Sequence, residues 1–262
     1  MNQRRNQRMR IAQLALVSVL GALASSVQSQ TSDMKEKERM YTYVSEWAVP
    51  RAKWTEYAKP DAASQKVMDQ AVGDGTLIAY GSDFNLVHSA DGYTHDNWWA
   101  SHSMAGIMKV LDSLEKAPAT TTGVINSVTK HADTVLVSRH YNWRPGTYKD
   151  AYTHGSSYKL KPTAPDDAVD ALSKALFEPL FEKLLADGSV VEYEIDEEAI
   201  HTEAPDSFWL FYVTPNAEGL DKVNAAVRST LKANALISPA FDSMIDYTPH
   251  RDSLDRSDAT FK

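Results

Sequence analysis

Residues 73–114 read GDGTLIAYGSDFNLVHSADGYTHDNWWASHSMAGIMKVLDSL, and residues 186–227 read ADGSVVEYEIDEEAIHTEAPDSFWLFYVTPNAEGLDKVNAAV. The two stretches align without a gap, and 8 of the 42 aligned positions are identical. The identical pairs are Asp74/Asp187, Gly75/Gly188, Tyr80/Tyr193, Asp83/Asp196, His88/His201, Gly106/Gly219, Lys109/Lys222 and Val110/Val223. A match of this length indicates that one structural unit has been duplicated.

Each copy lies within a similar run of predicted elements, placed by hydrophobic periodicity and by turn and cap residues. The first half has predicted strands over 40–49, 76–89, 93–101 and 124–129, with helices over 61–72 and after Ser103. The second half has predicted strands over 134–142, 189–201, 207–214 and 240–247, a polar insert over 143–164, and helices after Ala164 and Asn216. Each half therefore follows the order β-α-β-β-α-β, which is the ferredoxin-like order.

This order and the internal repeat resemble the dimeric α/β-barrel superfamily, in which two ferredoxin-like units set their sheets face to face with helices outside. The resemblance covers roughly residues 40–247 and implies an α+β fold of tandem ferredoxin-like repeats that form a pseudo-dimeric barrel. The superfamily includes monooxygenases, haem-dependent chlorite dismutases and dye peroxidases, and isomerases, so it implies a pocket and not one reaction. The expected divisions are a signal peptide (1–30), a flexible lead-in (31–39), two repeats (40–130 and 131–250) and a loose tail (251–262).

The N-terminus has the pattern of a secretory signal peptide, with four arginines followed by the apolar run 11–23. We therefore expect export to the periplasm or the medium, with no membrane anchor after cleavage. An uncleaved anchor is the alternative, but the apolar run is short for a bilayer span of about 20 residues. The chain has no cysteine, which excludes a lipid-anchored lipoprotein and a disulfide framework.

The charge of the mature chain bears on its partners. Loss of the signal peptide leaves 23 of the 27 basic residues against 35 acidic ones. This excess of negative charge disfavours nucleic acid and anionic lipid as main partners. We expect a small-molecule ligand instead, and a monomer, because each half supplies the partner that the other needs.

The candidate site depends on the register of the predicted hairpins. If Ser89 pairs with Tyr93, residues of like parity share a face of the sheet. The face toward the barrel interior would then carry polar and aromatic groups, as ligand pockets do. Its members would be His95, Asn97, Trp99, Glu192, Glu194 and Tyr212. A register shifted by one residue would turn all of these side chains to the other face.

His95 and Asn97 are the candidate catalytic residues, with the histidine as general base and the asparagine orienting it. Their alternative is a solvated position at the end of the sheet. Trp99, Tyr212, Glu192 and Glu194 are candidate ligand-binding residues. Enclosure would raise the pKa of one of the two glutamates by like-charge repulsion, whereas an open sheet would leave both solvated.

His140 is a further ligand-binding candidate, because the resemblance to haem-binding members implies a role as axial haem ligand. An ordinary strand histidine is the alternative. We expect no cofactor, with haem as the alternative to none. We also expect no metal site, because the predicted hairpin places His88 and His95 on opposite faces.

Three functions remain open at this stage. The leading hypothesis is an exported protein that binds an aromatic or apolar ligand between its two sheets. The first alternative is a cofactor-independent or haem-dependent enzyme of the monooxygenase or isomerase type with a histidine base, and the second is a structural or interaction protein with a filled barrel. The sequence contains no phosphate-binding glycine loop and no nucleophile elbow, which disfavours nucleotide-dependent chemistry and serine hydrolysis. It does not decide whether the chain is an enzyme.

Overall fold

A computed structural model describes residues 37–58, 62–89, 92–117, 122–202 and 206–262. The predicted signal peptide and most of the predicted lead-in fall in residues 1–36, outside the described residues. In the described parts of the chain, no helix combines the length and apolar character needed to cross a bilayer.

The described residues form both strands and helices. The strands are β1 (Met40–Ala48), β2 (Ala79–Asn85), β3 (His95–Ser101), β4 (Lys130–Trp143), β5 (Gly146–Leu160), β6 (Glu192–Glu198), β7 (Ser207–Thr214) and β8 (Ile245–Phe261). The α-helices are α1 (Trp54–Tyr57), α2 (Ala62–Gly73), α3 (Met104–Lys116), α4 (Thr122–Ile125), α5 (Ala168–Leu172), α6 (Glu178–Ala186), α7 (Ala217–Ala233) and α8 (Ile237–Met244). A 3₁₀ turn (Arg51–Lys53) precedes α1, and a π-helical turn (Ser173–Phe177) joins α5 to α6.

The strands close into one antiparallel barrel in the order β1-β3-β2-β8-β5-β7-β6-β4. Taken as two sets of four in chain order, both sets have the order fourth-first-third-second. These sets are β4-β1-β3-β2 and β8-β5-β7-β6, and they join where β2 pairs with β8 and β6 pairs with β4. Closure pairs the edges that an open sheet would expose. The α+β class is confirmed.

The division of the second half differs from the expected one. The polar stretch 143–164, expected as an insert, supplies strand β5, which holds the first place in the second set. The strand expected over 134–142 lies within β4, which pairs with β1 as the fourth strand of the first set. The strand expected over 124–129 is instead the end of α4 and the turn after it. β5 lacks a clear apolar alternation because it lines cavities on both of its faces.

The C-terminal prediction is also wrong. Residues 251–262, expected as a loose tail, contain the second part of β8, which lies between β2 and β5. Much of the strand expected over 240–247 is helix α8, because β8 begins only at Ile245. The tail looked unstructured because its inward-facing residues include Asp255 and Ser257. Ala259 and Phe261, two positions apart, are nevertheless buried.

The two copies of the repeated stretch have the same local structure. Gly75 and Gly188 both have φ near +80°, a conformation that side chains rarely adopt. The aspartate before each glycine accepts a hydrogen bond from the backbone N–H two residues further on, at 2.9 and 2.8 Å. In the first turn of the helix that ends each copy, the N–H of Gly106 or Gly219 donates to the side chain of the N-cap residue, Ser103 or Asn216, at 3.0 Å in both. The Asp–Gly turn residues and the helix glycines thus have matching structural roles in the two copies.

We predict that Gly219→Ala destabilises the fold by about 1–3 kcal/mol, the usual cost of forcing extra atoms into a packed site. A Cβ at this position would lie 2.6 Å from the backbone oxygen of Ser189. Gly73→Ala is the matched control, because its Cβ would have no neighbour within 4 Å. Urea unfolding of both variants measures the difference, and equal midpoints would contradict the prediction.

The helices cover the outer face of the barrel in two separate groups. α2 and α3 pack on the first set of strands around Leu77, Ile107 and Val110. The helices from α5 to α8 pack on the second set around Phe181 and Phe208. A third apolar cluster fills part of the barrel interior. The remaining space inside the barrel, and a space beneath the second group of helices, form the two cavities described below.

Candidate functional site

The pairing of β2 with β3 places Tyr80 opposite Trp99, so the numbers of paired residues sum to an odd number. The expected register, which would place Tyr80 opposite His102, is therefore wrong by three residues, and an odd shift exchanges the two faces of the strand. β2 ends at Asn85 and β3 begins only at His95, so the residues of the predicted tight turn do not set the pairing. As a result Trp98 lines the barrel interior, while Trp99 packs in the cluster beneath the first group of helices.

His95 and Asn97 do not form the expected site. The His95 ring is buried among aromatic rings, with centroids 4.4 Å from Tyr57 and 5.1 Å from Phe84. Burial, with a contribution from His88, lowers the pKa of His95 to about 4. Asn97 Nδ2 donates to Tyr57 Oη at 2.7 Å. His95 borders the interior cavity, but its ring and Asn97 hold α1 against the sheet.

Trp99 and Tyr212 also lie on the helix side of the sheet. Trp99 stacks on Tyr43 with centroids 4.4 Å apart and is almost fully buried. Tyr212 stacks on His154 at 5.0 Å and contacts Phe181 at 5.3 Å. Tyr212 therefore does border a cavity, but one beneath the helices and not one between the sheets.

His140 lies just after a bulge in β4, where the register shifts between Ser138 and His140. Its Nδ1 is 2.9 Å from Glu178 Oε1, and its Nε2 is 3.0 Å from Asp170 Oδ1. Because carboxylates occupy both ring nitrogens, His140 has no nitrogen left to bind a haem iron. The residues at this position do not fit the expected axial ligand.

The first cavity lies inside the barrel, and we call it the interior cavity. Its volume is about 540 Å³, within the range of small-molecule sites. Glu192 and Glu194 line it, on the face where sequence parity placed them. Other acidic and aromatic residues in its lining are Glu46, Asp83, Asp96, Asp246, Asp255, Tyr93, Trp98, Trp143, Tyr158, Trp209, Phe211 and Phe261. Across the described residues, no three or more His, Asp or Glu side chains are grouped so as to hold a metal ion.

Enclosure raises the pKa of the interior carboxyl groups. Burial raises the pKa of Glu194 to about 7, against hydrogen bonds that lower it. Burial, and then the charge of Asp83, raises the pKa of Asp255 to about 7. Burial, and then the charge of Glu194, raises the pKa of Asp196. Enclosure in the interior therefore disfavours the ionised form of these carboxyl groups.

The second cavity lies between the outer face of β5 and β7 and the second group of helices, and we call it the helix-side cavity. Its volume is about 410 Å³. Its walls are mainly apolar and include Leu176, Phe177, Leu180, Phe181, Val223, Val227, Leu231, Ile237 and Phe241. Leu176 and Phe177 belong to the π-helical turn, a feature that often occurs at functional sites.

A few polar groups converge on the helix-side cavity. His154 borders it, and the buried Nδ1 of this ring has no hydrogen-bond partner among the described residues. Burial lowers the pKa of His154, an effect that the charge of Asp252 opposes. Asp252 accepts a hydrogen bond from Ser156 Oγ at 2.6 Å and lies 3.5 Å from His250 Nε2. A neutral imidazole near a carboxylate can accept a proton from a bound molecule.

The sequence patterns do not indicate this site, because its polar groups fall in the predicted insert (143–164), in the predicted tail (251–262) or, for His250, between the last predicted strand and that tail. His154 and Ser156 belong to β5, and His250 and Asp252 belong to β8. A signal was present: His154, Ser156 and Tyr158 alternate along 147–160, with the period of a strand that presents one face to a pocket. Polar residues on both faces of this segment obscure the alternation, because a strand pattern is recognised by apolar residues on one face.

Comparisons with known proteins agree with this architecture. No protein-family model matches the chain, and no curated protein matches it in sequence. A putative monooxygenase from Lactobacillus acidophilus NCFM superposes with a TM-score of 0.58 at 12% identity, covering 86% of this chain and 97% of that one. A putative monooxygenase from Fusobacterium nucleatum gives 0.60 at 8% identity, covering 87% and 96%. An anthrone oxidase-like protein gives 0.50 at 10% identity, covering 85% and 92%.

These similarities extend over most of both chains, but at such low identity they show the fold alone. The fold is similar to that of the dimeric α/β-barrel proteins, as the element order of the sequence implied. Which reaction this chain could catalyse depends on the residues of its own cavities.

Proposed function

We propose that this chain is an enzyme of the monooxygenase-like type that acts on a flat aromatic substrate in the helix-side cavity, with His154 as general base. The observation that carries the proposal is the buried imidazole of His154, stacked on Tyr212, in the wall of a mainly apolar cavity of ligand size. An apolar pocket with few convergent polar groups and a perturbed histidine is the usual form of an active site. The names of the structural neighbours support the same reaction class.

The environment of His154 suits proton abstraction. Burial keeps its pKa below the ordinary value, so the ring is neutral at pH 7 and can accept a proton. Asp252 then stabilises the imidazolium that forms. A substrate with an acidic C–H or phenolic O–H would become an anion delocalised over its rings. Such an electron-rich carbanion reacts with dioxygen, which places one oxygen atom in a carbonyl product and releases the other as water.

The walls of the cavity favour a planar, apolar substrate. Tyr212 and Phe181 provide aromatic surfaces 5.3 Å apart, and Phe177 and Phe241 meet edge to face at 6.3 Å. Exclusion of water from this space strengthens the attraction between an anionic intermediate and the protonated base. The preference for an aromatic ligand agrees with the leading sequence hypothesis, but the proposed position is beneath the helices and not between the sheets.

We predict that His154→Phe lowers kcat for oxidation of anthrone by about 10²–10⁴-fold, the usual contribution of a general base. Phenylalanine keeps a ring against Tyr212 and removes the basic nitrogen. Oxygen uptake with anthrone and with 1,4-naphthohydroquinone, above the rate without enzyme, measures the activity. His201→Phe is the matched control, because His201 is exposed and should leave kcat unchanged.

Two results would contradict this function. One is a failure of the purified protein to accelerate oxygen uptake with either substrate. The other is activity that survives in His154→Phe, or that follows a haem absorbance band in the purified protein. The second result would favour the haem-dependent alternative.

The finer architecture is also a proposal. The order fourth-first-third-second in each set of strands supports two fused ferredoxin-like units, joined between Trp143 and Gly146 and not near residue 130. Export and a monomeric state remain proposals of the same kind. Light scattering of the purified protein tests the monomer, and a dimeric mass would contradict it.

A further inference from the structure

The interior cavity is distinct from the helix-side cavity and is lined by carboxyl groups from both sets of strands. Its acidic lining includes Glu46 on β1, Asp83 on β2, Asp96 on β3, Glu192 and Glu194 on β6, and Asp255 on β8. Among the described lining residues, Lys159 is the one lysine or arginine, and it pairs in register with Asp246, also in the lining. The lining therefore offers few cations to pair with the carboxyl groups of Asp83, Asp96, Glu192, Glu194 and Asp255 when these ionise.

Glu192 is the residue that most clearly indicates a missing partner. It is 6% exposed and lines the interior cavity, and its carboxyl group, unlike its backbone, accepts no hydrogen bond from a described residue. Asp83, by contrast, accepts hydrogen bonds from Trp98 Nε1 at 2.9 Å and from Thr153 Oγ1 at 3.3 Å. A buried carboxyl group without a donor is costly, and native structures rarely leave one in that state. A ligand that donates hydrogen bonds would relieve this cost.

The aromatic residues of the lining complete a binding site for a cation. Trp98, Trp209 and Phe211 border the same cavity as the carboxylates. The face of an aromatic ring, and of tryptophan in particular, attracts a cation within about 6 Å of its centre. The Trp98 side chain offers an aromatic ring face of this kind, and its Nε1–H also donates a hydrogen bond that orients Asp83.

We propose that the interior cavity binds an organic cation, a protonated primary amine with an apolar or aromatic body, whose ammonium group donates hydrogen bonds to Glu192. An ammonium group matches the carboxylates, and an apolar body matches the tryptophans and the apolar cluster deeper in the barrel. A bare metal ion fits less well, because no group of three or more metal-binding side chains occurs in the described residues. An anion would meet carboxyl groups from several strands, whose ionisation it would disfavour further.

The pKa directions of the lining residues support this site. Burial, and then the charges of Glu194, Asp196 and Asp83, raises the pKa of Glu192 well above its ordinary value. A bound ammonium favours the ionised carboxylate, so binding should release protons and strengthen as pH rises from 5 to 8. The titratable or charged groups that face the site from the surrounding strands are Glu46, Asp83, His95, Asp96, Lys159, Glu194, Asp246 and Asp255, with Asp196 beside Glu194.

Calorimetry with 2-phenylethylamine at pH 8 tests the inference. We expect saturable binding of one equivalent, with an affinity at least tenfold higher than at pH 5. The neutral 2-phenylethanol should bind at least tenfold more weakly, and 3-phenylpropionate should not bind. Glu192→Gln should weaken amine binding at least tenfold, whereas Glu197→Gln, at an exposed position of the same strand, should change it less than twofold.

Further variants keep this test separate from that of the proposed enzyme. Val227→Trp fills the helix-side cavity and should abolish oxidation while leaving amine binding intact. Glu194→Gln provides a second interior variant if Glu192→Gln fails to fold, and circular dichroism checks both. The inference is overturned if the amine does not bind, if the alcohol binds equally well, or if Val227→Trp abolishes amine binding.

Discussion

A chain that lacks residues 252–262 is expected to lose its cooperative fold. These residues form the part of β8 that pairs with β2, from Asn85↔Asp255 to Ala79↔Phe261, and that continues beside β5. Their removal opens the barrel where its two sets of strands join. The hydrogen-bonding groups of β2 and β5 lose their partners, and the buried Phe261 leaves the interior cluster. The combined loss exceeds the total stability of a typical domain, about 5–15 kcal/mol.

Thermal unfolding followed by near-UV circular dichroism tests the deletion. We expect no cooperative transition and little soluble protein. Arg256→Ala is the matched control within the same segment, because it keeps the backbone pairing and loses only a contact with the Tyr152 ring and a bond to the Asp150 carbonyl. Its cost should be about 1 kcal/mol. A deleted chain that melts cooperatively near the full-length temperature would show that β8 is dispensable.

The deletion also separates what the sequence could predict from what it could not. The internal repeat predicted the α+β class and the matching local structure of the two halves, because its glycines and helix caps act through short-range geometry. The first and fourth strands of each half carry no such repeat, and their neighbours are distant in sequence. β5 and β8 therefore remained unrecognised, although they contribute His154, His250 and Asp252 to the helix-side cavity.

The register error shows a second limit. The pairing of β2 with β3 differs from the expected one by an odd number of residues, three, so Trp98 lies in the interior and Trp99 beneath the helices. The residues between β2 and β3 do not determine which register the two strands adopt. The register depends on how each face of the sheet packs, and that packing depends on which strands are neighbours. Glu192 and Glu194 were placed on the correct face because their own strand is short and alternates regularly. Their role as ligand-binding residues remains a prediction.

The acidity of the interior predicts that stability falls as the pH rises from about 4 to about 8. The pKa of Asp255 is raised from 3.8 to about 7, chiefly by burial. A carboxyl group whose pKa is raised by folding binds more protons in the folded state than in the unfolded state. It therefore does not lower the free energy of unfolding at a pH below its unfolded pKa. Above that pH it lowers the free energy of unfolding increasingly, until the pH passes its folded pKa. At about 1.4 kcal/mol per pKa unit, Asp255 alone costs roughly 4 kcal/mol at pH 8.

Asp255→Asn should therefore stabilise the protein at pH 8 by roughly 2–4 kcal/mol and change its stability little at pH 4, where the native carboxyl group is already protonated. The amide keeps the shape of the side chain and removes its charge. Urea unfolding at pH 4, 6 and 8 measures the difference, with Glu197→Gln as the exposed control that should follow the parent protein at every pH. If the free energies of unfolding of Asp255→Asn and the parent differed by the same amount at every pH, the side chain would act through its packing and not through its charge. A difference in the free energy of unfolding that grows with pH, and that shrinks when 2-phenylethylamine is added at pH 8, would show that ionisation of Asp255 inside the barrel destabilises the parent protein. The amine should reduce the difference because a bound cation stabilises the ionised carboxylates.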